Sequence, residues 1–255
     1  MDKFKINGPS KIRGEVSISG SKNAALPILA ATLLFDKNVT IKNLPRVKDI
    51  DTMLNLLKSL GRKISFKNNK KIATISKGKK NNFFAPYSLV KTMRAGILVL
   101  GPLLAKNKKA KVSSPGGCSI GVRPIDIHLK AISKLGVKIQ IKKGYVNAKA
   151  QEGLVGSEIR FSKISVGATE NSILAACLAK GTTTIKNCAI EPEIKDLTNF
   201  LKTAGAKIKW IGKRTLKIEG VKTLKSITYS IMNDRIEAGT FCVAACLNGG
   251  KLSLI

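Results

Sequence analysis

The sequence repeats one pattern of elements three times, and this repeat limits the possible folds more than any other feature. Each copy predicts an apolar helix, a short strand, a second helix, a glycine turn and a further strand. The apolar helices are predicted at 21–34, 91–104 and 172–179, the short strands at 39–43, 110–113 and 183–187, and the second helices at 50–60, 124–135 and 194–203. Three such copies, with their helices packed inside a ring of sheets, would form one compact domain.

A glycine follows each predicted second helix, at Gly61, Gly136 and Gly205. A residue in this position often adopts the left-handed conformation, which glycine tolerates best. The strands after these glycines alternate apolar and basic residues, as in 138–142, so one face of each sheet is expected to be solvated. The fold class is therefore α/β, but the chain lacks the GxGxxG turn of a doubly wound dinucleotide fold.

A fourth copy begins near the C-terminus but does not follow the whole pattern. Its helix is predicted at 237–247 and its strand at 251–255, and no second helix follows. A final apolar strand without a closing turn would leave an exposed sheet edge. We therefore expect the sequence to be a fragment of a longer protein, or a natural truncation.

The formal charge of +31 admits more than one interpretation. The lysines are spread along most of the chain, which favours solvated faces over a dedicated nucleic-acid site. A polyanion-binding surface and local attraction for a phosphorylated metabolite remain alternatives. The sequence has no apolar run long enough to cross a membrane and no secretory signal, so a cytoplasmic protein without a membrane partner is expected.

The five cysteines predict reduced thiols and no metal site, since they form no CxxC pair and no Cys/His metal spacing. Cys177, Cys188, Cys242 and Cys246 lie in apolar segments and are expected in the core. Cys118 differs, because it lies in the glycine-rich segment Pro115–Pro124.

Cys118 is the strongest candidate for a reactive group. Its loop contains three glycines, precedes a predicted helix and carries Arg123, a setting that lowers the pKa of a thiol and raises its reactivity. A tight turn with an incidental cysteine is the alternative.

Three further segments indicate anion binding at helix starts. Lys22 and Asn23 begin the first helix, where free N–H groups and a positive dipole end favour anions. Arg94 begins a helix in the second copy. The segment 161–169 precedes the helix of the third copy, the position that 21–23 occupies in the first copy. The first segment could instead be a capped helix with a solvated lysine, and Arg94 a surface arginine at a helix end. Equivalent ends of repeated units nevertheless often converge on one binding face. The lone His128 has no visible catalytic partner and is taken as a helix-surface or packing residue.

Several of these segments resemble the enolpyruvyl transferase family, and within it the members that act on UDP-N-acetylglucosamine. The matching segments are 19–27, 92–95, the Cys118 loop 115–124, 166–169, 191–194 and 234–240. The resemblance covers the whole chain and implies an inside-out α/β barrel of repeated units. It also implies one complete three-repeat domain, at 21–233, and part of a second domain, at 1–20 and 234–255.

The resemblance implies a reaction and its partners. The enolpyruvyl group of phosphoenolpyruvate would pass to the 3′-hydroxyl of UDP-N-acetylglucosamine with release of phosphate, the first committed step of peptidoglycan synthesis. Both substrates are small molecules, phosphoenolpyruvate is a co-substrate, and no cofactor, metal or specific nucleic acid is implied. The family is the target of fosfomycin and serves cell-wall biogenesis, cell shape and cell division.

Site roles follow from the same resemblance. Cys118 would be the general acid and the point of covalent attachment, and Lys22 with Asn23 would bind phosphoenolpyruvate. The UDP-sugar would contact Arg94, Arg123, Pro124, Ile125, Asp126, Ile127, Lys163, Ile164, Ser165 and Val166. The carboxylate that accepts the hydroxyl proton would lie beyond Ile255, so this chain alone is expected to show little or no turnover.

Three rival interpretations stay open at this point. One is a relative of the transferase that uses shikimate 3-phosphate, which lacks the Pro-Gly-Gly-Cys loop. Another is a basic polyanion- or RNA-binding domain, which rests on charge alone. The third is a degenerate or regulatory half-protein.

Overall fold

The protein is described by a computed structural model that covers residues 3–5, 7–8, 11–79, 82–91, 93–114, 125–247 and 249–255. The α-helices are α1 (Lys22–Ala31), α2 (Lys48–Ser59), α3 (Tyr87–Val90), α4 (Leu100–Asn107), α5 (Asp126–Ser133), α6 (Val166–Ala176), α7 (Pro192–Thr203) and α8 (Arg235–Leu247). Two 3-10 helices span Thr32–Leu34 and Arg94–Val99. The strands are β1 (Arg13–Val16), β2 (Val39–Lys42), β3 (Arg62–Lys67), β4 (Ile72–Lys77), β5 (Phe84–Ala85), β6 (Lys109–Ser113), β7 (Lys138–Lys142), β8 (Tyr145–Lys149), β9 (Glu158–Arg160), β10 (Thr182–Lys186), β11 (Lys207–Gly212), β12 (Thr215–Glu219), β13 (Ile227–Ser230) and β14 (Lys251–Leu254).

Three four-stranded sheets share one topology, and each corresponds to one copy of the sequence repeat. Their strand orders are β13-β2-β4-β3, β5-β6-β8-β7 and β9-β10-β12-β11. In each sheet the second strand pairs in parallel with the first and antiparallel with the third. The repeat is thus confirmed, but the pattern predicted from sequence omitted two strands in each unit: the parallel partner and the returning strand of the hairpin.

The first sheet takes its parallel strand from the far end of the domain. Ile227 of β13 pairs with Val39 of β2, and Ser230 pairs with Lys42, although the other strands of this sheet lie between residues 39 and 77. An aromatic cluster supports this closure, because the Phe200 ring lies 5.6 Å from that of Phe35 and 5.4 Å from that of Tyr229. Contacts of this kind contribute about 0.5–1.5 kcal/mol each beyond their buried area.

The central helices form the core, as the sequence predicts. In α1 every residue from Ala24 to Ala31 is buried, and in α6 every residue from Ala168 to Ala176. A helix that is apolar or small on all sides belongs inside a domain rather than on its surface. The second helices α2 and α7 are instead amphipathic and bury one face. The positive φ angles of Gly61, Gly136 and Gly205, between +84° and +97°, confirm the predicted turns.

One predicted helix is wrong. The segment 91–104 is not continuous, since α3 ends at Val90 and a 3-10 helix begins only at Arg94. Met93 is extended between them, at φ −140° and ψ 112°. Gly96 then lies against Val90, where a Cβ atom would come within 3.0 Å of the valine side chain. This close approach accompanies the break, because a continuous α-helix would hold residues 90 and 96 about 9 Å apart along its axis.

The remaining elements lie outside the ring of sheets. Strands β1 and β14 pair in parallel, and α8 contacts β14 but contains no buried residue. The prediction that Cys242 and Cys246 lie in the core is therefore wrong, because both are exposed on α8, while Cys177 and Cys188 are buried as predicted. The chain crosses twice between the three-sheet region and the elements β1, β14 and α8. Gly20 and Asn233 form a β-bridge where these two crossings lie side by side.

Candidate functional site

A cavity of about 640 Å³ lies where the three repeated units meet. The first unit contributes the start of α1, the second the start of the 3-10 helix at Arg94, and the third the start of α6. The predicted convergence of equivalent ends on one face is thus confirmed. The lining residues are Lys22, Asn23, Leu26, Pro27, Asp49, Met93, Arg94, Ala95, Ile97, Leu98, Ile127, His128, Lys163, Ile164, Ser165, Val166, Gly167, Glu170, Glu191, Glu193 and Arg235.

The start of α1 is arranged to receive an anion. Ser21 caps the helix, and its Oγ accepts a hydrogen bond from the Ala24 N–H at 3.4 Å. The first-turn N–H groups of Lys22 and Asn23 have no acceptor within the helix. The Lys22 ammonium lies beside them and forms an ion pair with Asp49 at 3.0 Å. Both side chains are partly exposed, so an incoming anion can compete with Asp49 for the lysine.

The start of α6 repeats this arrangement. Ser165 caps the helix and accepts from the Ala168 N–H at 3.3 Å, which leaves the N–H groups of Val166 and Gly167 without an intrahelical acceptor. Lys163 lies just before the cap and lines the cavity. The side chains of Ile164 and Val166 are 46% and 38% exposed and give this end of the cavity an apolar lip. The cavity therefore contains two capped helix starts, each with a lysine.

Position 167 leaves little room for a side chain, because His128 packs against it. A Cβ atom on Gly167 would lie 3.0 Å from Cε1 of the histidine ring. His128 is 4% exposed, so the packing interpretation is confirmed and the helix-surface alternative is wrong. Burial, with repulsion from Arg94, lowers the pKa of His128 to about 4, so the ring is neutral near pH 7.

The inner wall of the cavity carries carboxyl groups. Burial and the nearby Glu193 and Glu191 carboxylates raise the pKa of Glu170 to about 8, although Arg94 opposes the shift. Glu170 is therefore mostly protonated near pH 7 and can donate a hydrogen bond. The Oε2 atom of Glu191 is buried and has no hydrogen-bond partner among the described residues.

Helix α7 holds the segment that leads to α8. The Glu193 carboxylate accepts from Nε of Arg235 at 2.9 Å and from Nη2 at 3.3 Å. One turn later Asp196 accepts from the Tyr229 hydroxyl at 2.6 Å and from the Met232 N–H at 3.3 Å. These contacts fix the path of the chain beside the cavity and bring Arg235 to its wall.

The structure gathers most of the predicted site residues. Around the cavity lie Lys22, Asn23, Arg94, Ile127, Lys163, Ile164, Ser165 and Val166. Ile125 and Asp126 precede Ile127 at the start of α5 but do not line the cavity. Cys118, Arg123 and Pro124 lie outside the described residues. The roles assigned to all these residues stay predictions.

The acidic wall of the cavity and the arginine beside it were not predicted. Asp49, Glu170, Glu191, Glu193 and Arg235 were given no role, although 191–194 and 234–240 were recognised as matching segments. One signal was available at Glu170, because it lies just before the apolar helix predicted at 172–179, and a carboxyl group beside a buried segment is seldom only structural. The two capped helix starts can each bind one anionic group, at opposite ends of the cavity. The wall between them can form hydrogen bonds to a polar molecule.

Comparison with known sequences identifies relatives over nearly the whole chain. A sequence model of the EPSP synthase family (3-phosphoshikimate 1-carboxyvinyltransferase) matches residues 6–254. A UDP-N-acetylglucosamine 1-carboxyvinyltransferase of Pelagibacter ubique is 63% identical over 254 residues, which are 100% of this chain and 60% of the relative. A relative of the same name from Acinetobacter guillouiae is 52% identical over 252 residues, 99% of this chain and 60% of its own length. The chain thus spans about 60% of the length of these relatives.

Solved structures show the same fold at lower identity. The enolpyruvyl transferase NikO of Streptomyces tendae superposes with a TM-score of 0.81 at 22% identity, covering 92% of this chain and 55% of its own. An EPSP synthase from Acinetobacter baumannii gives 0.77 at 20% identity, over 96% of this chain and 56% of its own. These matches confirm the enolpyruvyl transferase fold. Within the described residues, no helix has the length and apolar character needed to cross a membrane.

Proposed function

The chain belongs to the EPSP synthase family, and we propose that it forms part of an enzyme that transfers an enolpyruvyl group to UDP-N-acetylglucosamine. The acceptor 3′-hydroxyl loses its proton as its oxygen bonds to C2 of phosphoenolpyruvate and C3 gains a proton. Loss of phosphate and of a proton from C3 then restores the double bond. The product enters peptidoglycan synthesis. The observation that carries this proposal is the single cavity with two capped helix starts, each suited to one anionic substrate.

The α1 end suits phosphoenolpyruvate. The N–H groups of Lys22 and Asn23 meet the phosphate with the positive end of the helix dipole, and the Lys22 ammonium leaves Asp49 to bind the same group. The Asn23 side chain, also on the cavity wall, adds a neutral donor. Such contacts hold the substrate in one orientation, and this positioning is the main contribution of the α1 end to the reaction.

The α6 end suits the UDP portion of the acceptor. The N–H groups of Val166 and Gly167, with Lys163 and Arg94, can neutralise the diphosphate. The exposed side chains of Ile164 and Val166 provide apolar contact for a ring. We place Arg123, Pro124, Ile125, Asp126 and Ile127 along the same substrate, as the family resemblance implies.

The charge states of the buried groups fit anionic substrates. A protonated Glu170 adds no negative charge close to the diphosphate, and a neutral His128 supports Gly167 without the cost of burying a cation. The Glu193 carboxylate on the same wall is paired with Arg235. Glu170 therefore adds a hydrogen-bond donor for the sugar, and neither Glu170 nor His128 adds charge to this wall.

UDP-N-acetylglucosamine is favoured over shikimate 3-phosphate because this chain shares higher sequence identity with the relatives named for the UDP-sugar. Relatives named for the UDP-sugar are 50–63% identical to this chain, whereas the EPSP synthase structure shares its fold at 20% identity. We further propose the domain division 21–233 against 1–20 with 234–255. A cytoplasmic location and a reaction without cofactor or metal complete the proposal.

Cys118 is proposed as the general acid that protonates C3, and as the point of attachment of fosfomycin. Mass spectrometry after incubation with fosfomycin and UDP-N-acetylglucosamine tests this. One adduct is expected on the peptide that contains Cys118 and none on those with Cys177 or Cys188, whose thiols are buried. A folded sample with no adduct at Cys118 would contradict the assignment.

Binding of the acceptor tests the cavity itself. Calorimetry should detect UDP-N-acetylglucosamine binding to the chain, weakened at least tenfold by Arg94→Ala or Lys163→Ala. Lys180→Ala, a change of equal charge outside the cavity lining, is the control and should leave the affinity unchanged. Equal loss in all three variants would show that bulk charge, not this cavity, attracts the ligand.

A further inference from the structure

The second sheet carries three lysines in one row across neighbouring strands. Lys109 of β6 is paired with Lys149 of β8, and Lys149 is paired in turn with Lys138 of β7. All three are exposed and lie on the same outer face, because Ala110, Val146 and Ala148 point inward and are buried. Like charges directly opposite one another destabilise a sheet, so this row opposes folding on its own.

The third sheet provides a direct comparison, since it has the same topology. Its row at the equivalent position is Thr182, Glu219 and Lys207, with one acid between a neutral residue and a lysine. Glu219 lies 3.8 Å from the Lys207 ammonium and 3.9 Å from that of Lys217. The third sheet therefore has an acidic residue in this row, and the second sheet has none.

No acidic residue lies in any strand of the second sheet. The strand sequences are Phe-Ala for β5, Lys-Ala-Lys-Val-Ser for β6, Lys-Ile-Gln-Ile-Lys for β7 and Tyr-Val-Asn-Ala-Lys for β8. Among the described residues, the ion pairs involve lysines of the other two sheets and of the helices, and none of the lysines in this sheet. Ion pairs among the described residues therefore do not neutralise the positive charge of this face.

Aromatic rings lie beside the lysine row on the same face. The Lys111 ammonium lies 5.2 Å from the centroid of Phe84 and 5.0 Å from that of Tyr145, and the two rings are 5.6 Å apart. Phe83 lies next to them, 4.3 Å from the Lys109 ammonium. All three rings are partly exposed.

We propose that this outer face, formed by Lys109, Lys111, Lys138, Lys149, Phe84 and Tyr145, binds single-stranded nucleic acid. The lysines contact successive phosphates, and the rings stack on bases that a single strand leaves accessible. A duplex would use the charges but not the rings, so the combination favours a single strand. This activity is separate from the proposed transfer reaction, because none of these residues lines the cavity.

Fluorescence anisotropy with a labelled 20-nucleotide oligouridylate, over a range of salt concentrations, tests the proposal. The variant Lys109→Thr with Lys149→Glu gives the second sheet the row of the third. The control, Lys63→Thr with Lys67→Glu, makes the same change of three charges on exposed lysines of β3 in the first sheet. A third variant, Tyr145→Ser, removes a ring and no charge.

The wild-type chain should bind the oligonucleotide, and the second-sheet variant should bind at least tenfold more weakly at 50 mM salt. Its slope of log affinity against log salt should fall by about 1.4, or 0.7 for each of two lost phosphate contacts. The control should lose less than threefold. Tyr145→Ser should weaken binding about tenfold at an unchanged slope.

Several results would overturn the proposal: no binding by the wild type at 50 mM salt, equal losses in the second-sheet and control variants, or no effect of Tyr145→Ser. Tighter binding to a duplex of equal length, or to vesicles containing phosphatidylserine, would assign the face to another partner. Folding is checked by thermal melting, where the second-sheet variant should melt no lower than the wild type because it removes like-charge repulsion. Lys138→Thr, a single change in the same row, replaces the double variant if that one fails to fold.

Discussion

The guanidinium of Arg235 donates to both carboxylate oxygens of Glu193, at 2.9 Å and 3.3 Å. Glu193 is 3% exposed, whereas the arginine side chain is half exposed. The pair joins the first residue of α8 to the first turn of α7, at the wall of the cavity. The buried Glu193 carboxylate therefore has its cationic partner, Arg235, on a helix outside the ring of sheets.

Replacing Arg235 should therefore cost more than replacing Glu193. Arg235→Met leaves a buried carboxylate without its cation, and we expect a loss of about 1–3 kcal/mol in the free energy of unfolding. Glu193→Gln removes the buried charge as well as the pair and should cost less. Urea denaturation measures both, with Lys207→Met as the control, since that exposed pair should contribute under about 1 kcal/mol. A larger loss for Glu193→Gln would contradict this order.

Glu170 should make the protein less stable as the pH rises toward 8. Its pKa is raised to about 8 from an ordinary 4.5, so the folded state retains a proton that the unfolded chain releases. The stabilising contribution is complete below pH 4.5 and is lost as the pH approaches 8. In the wild type this group should lower the free energy of unfolding by up to about 1.4 kcal/mol per pH unit, and Glu170→Gln should remove this dependence. Denaturation of both proteins at several pH values measures the difference.

His128 should act in the opposite direction at lower pH. Its pKa is lowered to about 4 from 6.5, so the unfolded chain gains a proton first as the pH falls. Its contribution is complete above pH 6.5 and is lost toward pH 4. The two groups therefore offset one another between about pH 4.5 and 6.5, and in Glu170→Gln stability should rise with pH over that window. A difference between variant and wild type that does not change with pH would contradict the shift at Glu170.

The cysteines should divide into two classes of reactivity. Burial raises the pKa of Cys177 to about 12 and that of Cys188 to about 11, so neither forms a thiolate near pH 8. Cys242 and Cys246 are exposed on α8. Iodoacetamide should alkylate the α8 pair in the native protein and reach the buried pair only in urea, as read by peptide mass mapping. Native labelling of Cys177 would show that the core opens more readily than the structure indicates.

Asn171 should be intolerant of apolar replacement. Its Nδ2 donates to the Ile97 carbonyl at 3.0 Å, and its Oδ1 accepts from the Gly101 N–H at 2.8 Å, so it joins α6 to the chain around the start of α4. Asn171→Leu leaves the Gly101 N–H without this acceptor and removes one of the two donors to the Ile97 carbonyl, which keeps the Leu100 N–H, and a loss of about 1–3 kcal/mol is expected. Asn199→Leu, on the exposed face of α7, is the matched control and should change stability by less than about 0.5 kcal/mol. Chemical denaturation distinguishes the two.

Gly101 should be equally intolerant, for a steric reason. A Cβ atom there would lie 2.5 Å from the backbone oxygen of Asn171, so Gly101→Ala must push α4 away from α6. We expect a lower melting temperature, whereas Gly239→Ala, on exposed α8 with no atom near its Cβ, should leave it unchanged or raise it. Equal melting temperatures would show that the two helices separate without cost.

The features that could be predicted from sequence are those that residues close together in the chain determine. Helix α1, its Ser21 cap and the turns at Gly61 and Gly205 follow from spacing and residue type alone, whereas α6 begins at Val166, ahead of the predicted start at 172. Because the three copies are equivalent, their ends could also be expected to meet. Strands β5 and β9 have two and three residues and carry too little pattern to predict.

The site was harder to predict where it depends on tertiary placement. Glu170, Glu193 and Arg235 come from three helices, and nothing local indicates that they share a wall. The same holds for the exposure of Cys242, since its helix is as apolar as the buried ones and only its position differs. Met93 is extended and Gly96 packs on Val90, and neither feature is visible in the apolar periodicity of the sequence.

The pairing of β13 with β2 has a consequence for the order in which the protein is made. The ribosome delivers residues 39–77 long before Ile227–Ser230, so the first sheet waits with one edge of β2 unpaired while the other two sheets are synthesised. The second and third sheets need only strands from their own stretch of chain. Nascent chains released before Ser230 would thus expose that edge, and would be the species most in need of a chaperone.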